Sequence, residues 1–411
     1  MGLRGKPDPV NNYSHSCQYV IRSVIYDVIV AGGGPAGSMA AKCCAKAGLN
    51  TLIIEEHAAA GTPVQCAGLL STNAFFECEV SDRSVIQTVT GARVVSGLGC
   101  EFSFDSGEIK AYVVDRSAFD REMLEGAANA GAEIMLKTSV TGAVVDDSGC
   151  TVSTTGVSGK QDFKSKMIVA ADGPRSNFSR FFGMKRAPVF LSGIQADVPY
   201  ESDGRLVELH PYASPGFFGW VIPAGKGKAR VGLCAEKDTN ELFGRFIKQF
   251  GPTNVHQVTG TIPIGIMPQT YGNRTLFCGD AAGFAKPTSG GGVYTGVRSA
   301  RHAADTIAKC IESGDFGDRA LSRYESLWKA DFGRDLAFGM RLFRIRKNLT
   351  PEIIDDLCRE MNEKGMAEDI IRYGDMDRPG RIVKKMALNP SIYRVAGKVI
   401  GSELRSLFFK S

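Results

Sequence analysis

The sequence predicts an α/β protein: a two-part Rossmann-like domain that binds a dinucleotide, an inserted, mostly antiparallel α+β domain, and a helical C-terminal region. Two glycine-rich segments, each following a short apolar run of strand type, predict the two-part domain. Between them, from about residue 188, short strand-like runs are broken by Pro and Gly, which favours an antiparallel layer. From about residue 313 the composition becomes helical and strongly charged.

The first glycine-rich segment has the spacing of a dinucleotide-binding turn. The apolar run from Asp27 to Ala31 is followed by Gly32, Gly34 and Gly37, in G-x-G-x-x-G spacing. Glycines at these positions allow a tight turn, let the backbone approach a pyrophosphate, and let a helix pack close to the strand.

The residues that follow complete a strand–helix–strand unit. A helix is predicted from Pro35 to Gly48, where the glycine favours a C-terminal stop. The apolar run from Thr51 to Ile54 then leads to Glu55. An acid at this strand end can bind both hydroxyls of an adenosine ribose, and its charge repels a 2′-phosphate.

The second glycine-rich segment, from Thr275 to Val293, predicts the kind of dinucleotide. A strand ends in Gly279-Asp280, and the run Gly290-Gly-Gly292 opens a helix. A dehydrogenase that binds only a nicotinamide nucleotide needs just the first segment. Two segments suit a bulkier dinucleotide held at both ends, so together they predict FAD.

Changes in pattern divide the chain into five predicted parts. They are an irregular tail (1–24), the first part of the FAD-binding domain (25–187), the substrate-binding domain (188–262), the second part of the FAD-binding domain (263–312) and a C-terminal helical region (313–411).

Composition predicts a cytoplasmic protein without a metal site. The 43% apolar and 23% charged content is ordinary for a globular protein, and no apolar stretch approaches the ~18 to 20 residues of a membrane span. The eleven cysteines include no C-x-x-C, which favours reduced thiols, and the five histidines are scattered. A net charge of +5 is too small and diffuse to predict nucleic-acid binding.

Six local motifs of the sequence belong together. They are GGGPAG at 32–37 with Glu55, Asp-Arg-x-x-Phe-Asp at 115–120, Ala-Asp-Gly at 171–173, Gly-Asp-Ala-Ala at 279–282, Pro63-Val-Gln-Cys-Ala-Gly68, and Pro215-Gly-Phe-Phe-Gly-Trp-Val-Ile-Pro223. The first four resemble those of flavoproteins built like para-hydroxybenzoate hydroxylase. The last two resemble those of the geranylgeranyl reductase family, specifically its archaeal digeranylgeranylglycerophospholipid reductases. The resemblance covers about residues 25 to 340.

The last motif is similar to the family signature P-x-x-Y-x-W-x-F-P. Phe218 replaces the Tyr of that signature and Ile222 replaces its Phe, and both changes are conservative in an apolar lining. The resemblance implies that Pro215, Phe218, Trp220 and Pro223 form a substrate wall. The alternative is an ordinary core cluster.

The resemblance also implies a set of FAD contacts. At the nucleotide end, Gly32, Gly34, Ala36 and Gly37 would lie at the pyrophosphate, Glu55 would hold the ribose and Val140 would frame the adenine. Arg116 would lie near the pyrophosphate or ribityl chain, and Asp280 would accept hydrogen bonds from the ribityl hydroxyls. At the flavin end, Gly292 and Val293 would place amides near the pyrimidine edge, and Cys66 and Ala67 would border the flavin ring.

Three of these assignments leave alternatives open. Arg116 can instead form a surface salt link, and Asp172 of the Ala-Asp-Gly motif can cap a turn rather than bind a ligand. Cys66 can be a small buried residue with no chemical role, which is the usual fate of a cytosolic cysteine.

The reaction implied by the resemblance is hydrogenation of isolated carbon–carbon double bonds in an isoprenoid glycerophospholipid, with hydride delivered from reduced flavin N5. No residue of the sequence is nominated as proton donor. No second nucleotide fingerprint is visible, so ferredoxin, a reduced deazaflavin and NAD(P)H all stay open as electron donor.

Three other functions are weighed against this one. An aromatic monooxygenase of the same fold usually has Gly-Asp-Ala-Ala-His, a Pro-Pro pair and Gly-Gln-Gly, where this chain has Gly283, Lys286-Pro287 and Gly290-Gly-Gly292. A chlorophyll-type geranylgeranyl reductase differs only in substrate. A non-catalytic lipid-carrying or flavin-storage protein is disfavoured because it does not need two segments that bind the cofactor.

The C-terminus predicts peripheral contact with the inner face of the cell membrane. Between Arg381 and Lys410 lie seven basic residues and one acid, Glu403, and apolar residues fall close to one helical face. A basic amphipathic helix can lie on an anionic lipid surface. The alternative is an ordinary helix that covers the substrate domain.

Overall fold

The strands confirm an α/β protein with two large sheets. The computed structural model describes residues 24–252, 256–363 and 365–380, and the elements below lie in those ranges. The strands are β1 (Ile25–Ala31), β2 (Thr51–Ile54), β3 (Leu69–Ser71), β4 (Val85–Val89), β5 (Gly91–Val95), β6 (Glu101–Asp105), β7 (Ala111–Val114), β8 (Glu133–Met135), β9 (Thr138–Asp146), β10 (Gly149–Gly156), β11 (Gly159–Ala170), β12 (Val189–Val198), β13 (Leu206–His210), β14 (Gly219–Pro223), β15 (Ala229–Ala235), β16 (Gln257–Ile264), β17 (Tyr271–Gly272) and β18 (Thr275–Phe277).

The helices concentrate after the last strand. A π-helical turn, Lys329–Gly333, joins two of them, and three short 3₁₀ turns lie at Asp82–Ser84, Pro211–Ala213 and Gly279–Ala282. The α-helices are α1 (Pro35–Lys46), α2 (Thr72–Glu77), α3 (Arg116–Asn129), α4 (Asn177–Phe181), α5 (Thr239–Ile247), α6 (Val293–Ser313), α7 (Asp318–Trp328), α8 (Arg334–Arg346), α9 (Pro351–Glu363) and α10 (Met366–Tyr373).

The first sheet brings the two glycine-rich segments to one edge. Its parallel strands run in the order β18-β11-β1-β2-β8, while β9, β10 and β17 are antiparallel additions. Strands β1 and β2 are apolar and buried, as expected for parallel strands covered on both faces. Because β11 lies between β1 and β18, the turns after all three strands emerge together. The predicted two-part domain is confirmed.

The second sheet is mostly antiparallel, in the order β16-β12-β15-β14-β13-β5-β6. One face packs on α5 through an apolar cluster that includes Ile194, Val231 and Phe243. Strands β5 and β6 come from the region predicted as the first part of the FAD-binding domain, and β5 pairs in parallel with β13. The predicted domain boundaries stay a prediction. A third sheet, β3-β7-β4, lies beside these two.

The described C-terminal region is helical from α7 to α10. None of the helices in the described ranges is long and apolar enough to cross a membrane. The predicted tail lies outside the described residues except for Val24, and the predicted basic amphipathic helix between Arg381 and Lys410 lies wholly outside them.

Gly32→Ala is expected to destabilise the fold. Gly32 has φ 101°, and a Cβ there would lie 2.3 Å from the carbonyl oxygen of Ala171. Strain of this kind costs on the order of 1 to 3 kcal/mol of unfolding free energy, measurable by urea denaturation. Gly34→Ala is the matched control, because φ is −71° and a Cβ would meet nothing within 4 Å. Equal stability of the two variants would contradict this account of the turn.

Candidate active site

The turn after β1 leaves the N-terminus of α1 open. No side chain among residues 24–252, 256–363 and 365–380 caps it, and a Cβ on Gly34 would meet nothing within 4 Å. Gly37 lies so close to Gly32 that a Cβ would come within 1.9 Å of the Gly32 carbonyl oxygen. The amides of Ala36 and its neighbours therefore face open space at the positive end of the helix dipole, which favours an anion.

Glu55 lies at the end of β2, where the sequence predicts it. One carboxylate oxygen accepts the backbone N–H of Gly33 at 2.6 Å, and the other accepts the backbone N–H of His57 at 2.9 Å. The ring Nδ1 of His57 lies 2.6 Å from that second oxygen. The Thr138 N–H donates to the Glu55 carbonyl at 3.0 Å, which brings β9 and its Val140 beside this site.

The two glycine-rich segments are in contact. A Cβ on Gly279, which has φ 59°, would lie 2.9 Å from the Cβ of Ala36. The short turn Gly279–Ala282 therefore lies directly over the start of α1, and α6 packs against α1. Gly279 and Ala36, which are more than two hundred positions apart in the sequence, are therefore neighbours in the structure.

Asp280 presents a half-buried carboxylate to the same space. Among the described residues its side chain has no hydrogen-bond partner. Burial raises the pKa of Asp280 to about 6, although the positive charge of Arg116 acts to lower that pKa. A Cβ on Gly292 would lie 2.7 Å from Asp280 Oδ1, and no side chain in the described part of the chain caps α6 where Gly292 meets Val293. A half-buried carboxylate without donors among the described residues suits a ligand that brings hydroxyl groups.

Arg116 forms a buried ion pair rather than the surface salt link considered as its alternative. Its guanidinium donates to both oxygens of Asp120 at 2.9 and 2.8 Å, and the two side chains are 11% and 6% exposed. Although burial opposes its charge, Cys66 and Asp120 beside it raise the pKa of Arg116 above its ordinary value. Arg116 therefore lies near both Cys66 and Asp280.

The segment from Pro63 to Gly68, here called the Cys66 loop, is held by the second sheet. Gln195 on β12 donates to the Cys66 carbonyl at 2.9 Å, and Arg230 on β15 donates to the Ala67 carbonyl at 2.7 Å. Sequence reasoning missed Gln195 and Arg230. Their only signal is polarity within apolar strands, and the face that each occupies depends on the register of the sheet.

An aromatic wall, formed by Phe217, Phe218 and Trp220, borders the second glycine-rich segment. The two Phe rings stack at 4.5 Å, and Trp220 meets Phe218 edge-on at 6.3 Å. Trp220 lies across Gly232, where a Cβ would come within 2.5 Å of the indole ring. Gly290 approaches Phe217 closely enough that its Cβ would lie 3.4 Å from that ring. The wall therefore shares a boundary with the predicted flavin site.

The two predicted prolines lie apart from this wall. Pro215 is exposed in the turn before β14. Pro223 is buried at the far end of β14, and strand alternation puts it on the opposite face from Trp220. Their substrate role stays a prediction.

An apolar cavity of about 150 Å³ lies beside the aromatic wall. Ala285 and Pro287 line one side of it, and Leu336, Ala337 and Met340 of α8 line the other. Phe343 of α8 joins the wall through Phe217, with ring centroids 6.4 Å apart. The cavity therefore lies between α8 and the second glycine-rich segment.

The segment from Lys286 to Gly292, here called the glycine loop, is fixed by a buried ion pair. Lys286 Nζ lies 2.6 Å from Asp377 Oδ1, and the Ser71 hydroxyl donates to the other carboxylate oxygen at 2.6 Å. The loop is also closed by backbone bonds from Gly290 to the Lys286 carbonyl and from Lys286 to the Gly291 carbonyl. Asp377 is separated from Lys286 by 91 residues, so the sequence offered no sign of the pair.

Asp172 adopts the capping alternative. One carboxylate oxygen accepts the N–H of Asn177 at 2.6 Å, at the start of α4, and the other is buried without a partner among the described residues. Burial raises the pKa of Asp172 above its ordinary value.

Comparison with known proteins identifies the family. The family model described as "FAD binding domain" matches residues 25–249. Digeranylgeranylglycerophospholipid reductase 2 of Methanothermobacter thermautotrophicus is 32% identical over 83% of this chain and 93% of its own. Digeranylgeranylglycerophospholipid reductase 1 of Methanococcoides burtonii is 29% identical over 82% of this chain and 88% of its own.

Solved structures agree with this. A geranylgeranyl bacteriochlorophyll reductase-like protein from Thermoplasma acidophilum superposes with a TM-score of 0.79, at 26% identity, over 88% of this chain and 98% of its own. A p-nitrophenol 4-monooxygenase from Pseudomonas putida, at 19% identity and a TM-score of 0.68 over 84% of this chain and 96% of its own, shares the fold. The chain belongs to the FAD-binding-domain flavoproteins and, within them, to the family of digeranylgeranylglycerophospholipid reductases.

Proposed function

We propose that this flavoprotein hydrogenates isolated double bonds of geranylgeranyl chains in glycerophospholipids. The observation that carries the proposal is the aromatic wall and the apolar cavity beside the glycine loop. The named activity of the relatives supports the same substrate class. An isoprenoid chain is apolar along its length and needs such a lining.

The residues at the turns fit FAD. The uncapped N-terminus of α1 around Gly34 would receive the pyrophosphate, and Glu55 would hold the adenosine ribose. Asp280 would accept hydrogen bonds from the ribityl chain, and the amides of Gly292 and Val293 would face the pyrimidine edge. When bound and reduced, FAD supplies a hydride from N5.

The protein's contribution to catalysis is positioning in a dry site. No carbonyl is conjugated to an isolated alkene, so an oxyanion hole has no charge to stabilise. The aromatic wall and the Cys66 loop, held by Gln195 and Arg230, would instead fix the alkene against the flavin and exclude water.

Two partners belong to the same proposal. The electron donor is reduced ferredoxin, a reduced deazaflavin or NAD(P)H, and anaerobic flavin reduction by each in turn identifies which. The basic segment between Arg381 and Lys410 would bind an anionic membrane surface that holds the lipid substrate.

An anaerobic single-turnover assay tests the function. The flavin is reduced with dithionite, a geranylgeranylated glycerophospholipid is added, and flavin absorbance near ~450 nm and lipid mass are followed together. We expect reoxidation of the flavin and a gain of about two mass units for each alkene reduced, because hydride and proton both add to the alkene. A flavin that reoxidises only with oxygen, with the lipid unchanged, would contradict the proposal and favour the monooxygenase.

Gly34→Ala is expected to weaken FAD binding without unfolding the protein. The added methyl group enters the open space above α1, where the pyrophosphate must approach the backbone. Overpacking of this kind should lower the affinity for FAD about 10- to 100-fold, which is measured by titrating the apoprotein with FAD. Gly126→Ala, which adds the same methyl within α3, is the control and should keep the wild-type affinity. Unchanged FAD affinity in Gly34→Ala would overturn the assignment.

Asp280→Asn is expected to stabilise the apoprotein and weaken FAD binding. Burial raises the pKa of Asp280 to about 6, so the native state binds a proton more tightly than the unfolded state. Wild-type stability should therefore fall as pH rises from about 4 to above 6, and Asp280→Asn should be more stable at pH 7.5 by about 3 kcal/mol. Glu312→Gln, at an exposed position, is the control. Identical pH profiles of wild type and Asp280→Asn in urea denaturation would contradict this.

A further inference from the structure

Arg346, the last residue of α8, is a half-buried cation beside the aromatic wall. Its guanidinium carbon lies 5.4 and 5.2 Å from the ring centroids of Phe217 and Phe218. Nη1 donates to the Thr288 carbonyl of the glycine loop at 3.1 Å. Among the described residues no carboxylate pairs with Arg346. Burial lowers the pKa of Arg346 to about 10, and no acid in the described part of the chain opposes this shift.

The other cations of the site each have an acidic partner. Arg116 pairs with Asp120, Arg230 with Asp197, Lys286 with Asp377, and the adjacent Lys347 with Glu236. A charge removed from water without a counter-charge costs free energy of folding. An arginine retained in this state suits a ligand that brings the missing anion.

The face of α8 that meets the cavity and the aromatic wall changes along its length from apolar to cationic. Leu336 and Met340 line the cavity, Phe343 packs on the aromatic wall, and Arg346 follows at the end of the helix. Arg346 lies six residues after Met340, about 9 Å along the helix axis at ~1.5 Å per residue. An amphiphile with an apolar chain in the cavity and an anionic end at Arg346 matches this order.

We propose that Arg346 binds the phosphate group of the isoprenoid substrate at the end of α8, beyond the apolar cavity. The planar guanidinium is suited to phosphate because it can donate two parallel hydrogen bonds, and among the described residues its one hydrogen-bond acceptor is the Thr288 carbonyl. The inference rests on the proposed function for the identity of the lipid. A phosphate held at Arg346 would fix how far the isoprenoid chain of the lipid extends toward the flavin. It would therefore determine which alkenes of that chain lie against the flavin.

Arg346→Gln tests the proposal on two lipids of the holoenzyme: a geranylgeranylated glycerophospholipid and the corresponding glycerol lipid without phosphate. We expect KM for the phospholipid to rise about 10- to 100-fold, the loss of a charge-assisted hydrogen bond, with a much smaller change for the phosphate-free lipid. Arg346→Lys should fall between, because it keeps the charge but loses the planar fork. Arg344→Gln, an exposed arginine on the same helix, is the control and should retain the wild-type KM.

Calorimetric titration of the oxidised holoenzyme separates this site from the function. Wild type that binds the phospholipid more tightly than Arg346→Gln does, yet leaves its alkenes unreduced, would support the anion site and overturn the reductase. Inorganic phosphate that binds wild type as tightly as the phospholipid does would overturn the assignment to a lipid headgroup. An equal rise in KM for both lipids in Arg346→Gln would show that Arg346 only supports the aromatic wall, and the proposal would be wrong.

Discussion

No side chain fits between the turn that follows β1 and the turn that follows β11, and the site depends on this close approach. A Cβ on Gly32 would lie 2.3 Å from the Ala171 carbonyl oxygen, and one on Gly37 would lie 1.9 Å from the Gly32 carbonyl oxygen. The approach brings the start of α1 onto the edge of the sheet with its amides free. Because Gly279 touches Ala36 there, the second glycine-rich segment is placed by the same contact.

The rest of the site is assembled by long-range polar contacts onto that edge. Gln195 and Arg230 attach the Cys66 loop to the second sheet, which also carries Trp220 of the aromatic wall. The ion pair between Lys286 and Asp377 attaches the glycine loop to the C-terminal region. Breaking one partner of a buried pair leaves an uncompensated charge, which typically costs about 3 to 5 kcal/mol. Both sheets and the C-terminal helices therefore contribute to one site.

Local pattern predicted the elements that local interactions determine. The apolar run from Thr51 to Ile54 is a strand with those bounds, and the glycine spacing after Ala31 produces the predicted turn and helix. The pairing of β5 with β13 and of Lys286 with Asp377 joins residues far apart in the chain, and no periodicity reports such partners. The sequence did not single out Arg346 for a similar reason. A cation near the end of a helix is common, and only the described residues around Arg346 show that no acid among them pairs with it.

A crystal structure of the holoenzyme with a bound geranylgeranylated glycerophospholipid tests the central claim most directly. The account predicts pyrophosphate density on the α1 amides beside Gly34, the flavin ring between the Cys66 loop and Trp220, and a lipid alkene against that ring. Flavin density elsewhere, or lipid bound on a surface away from the aromatic wall, would contradict it.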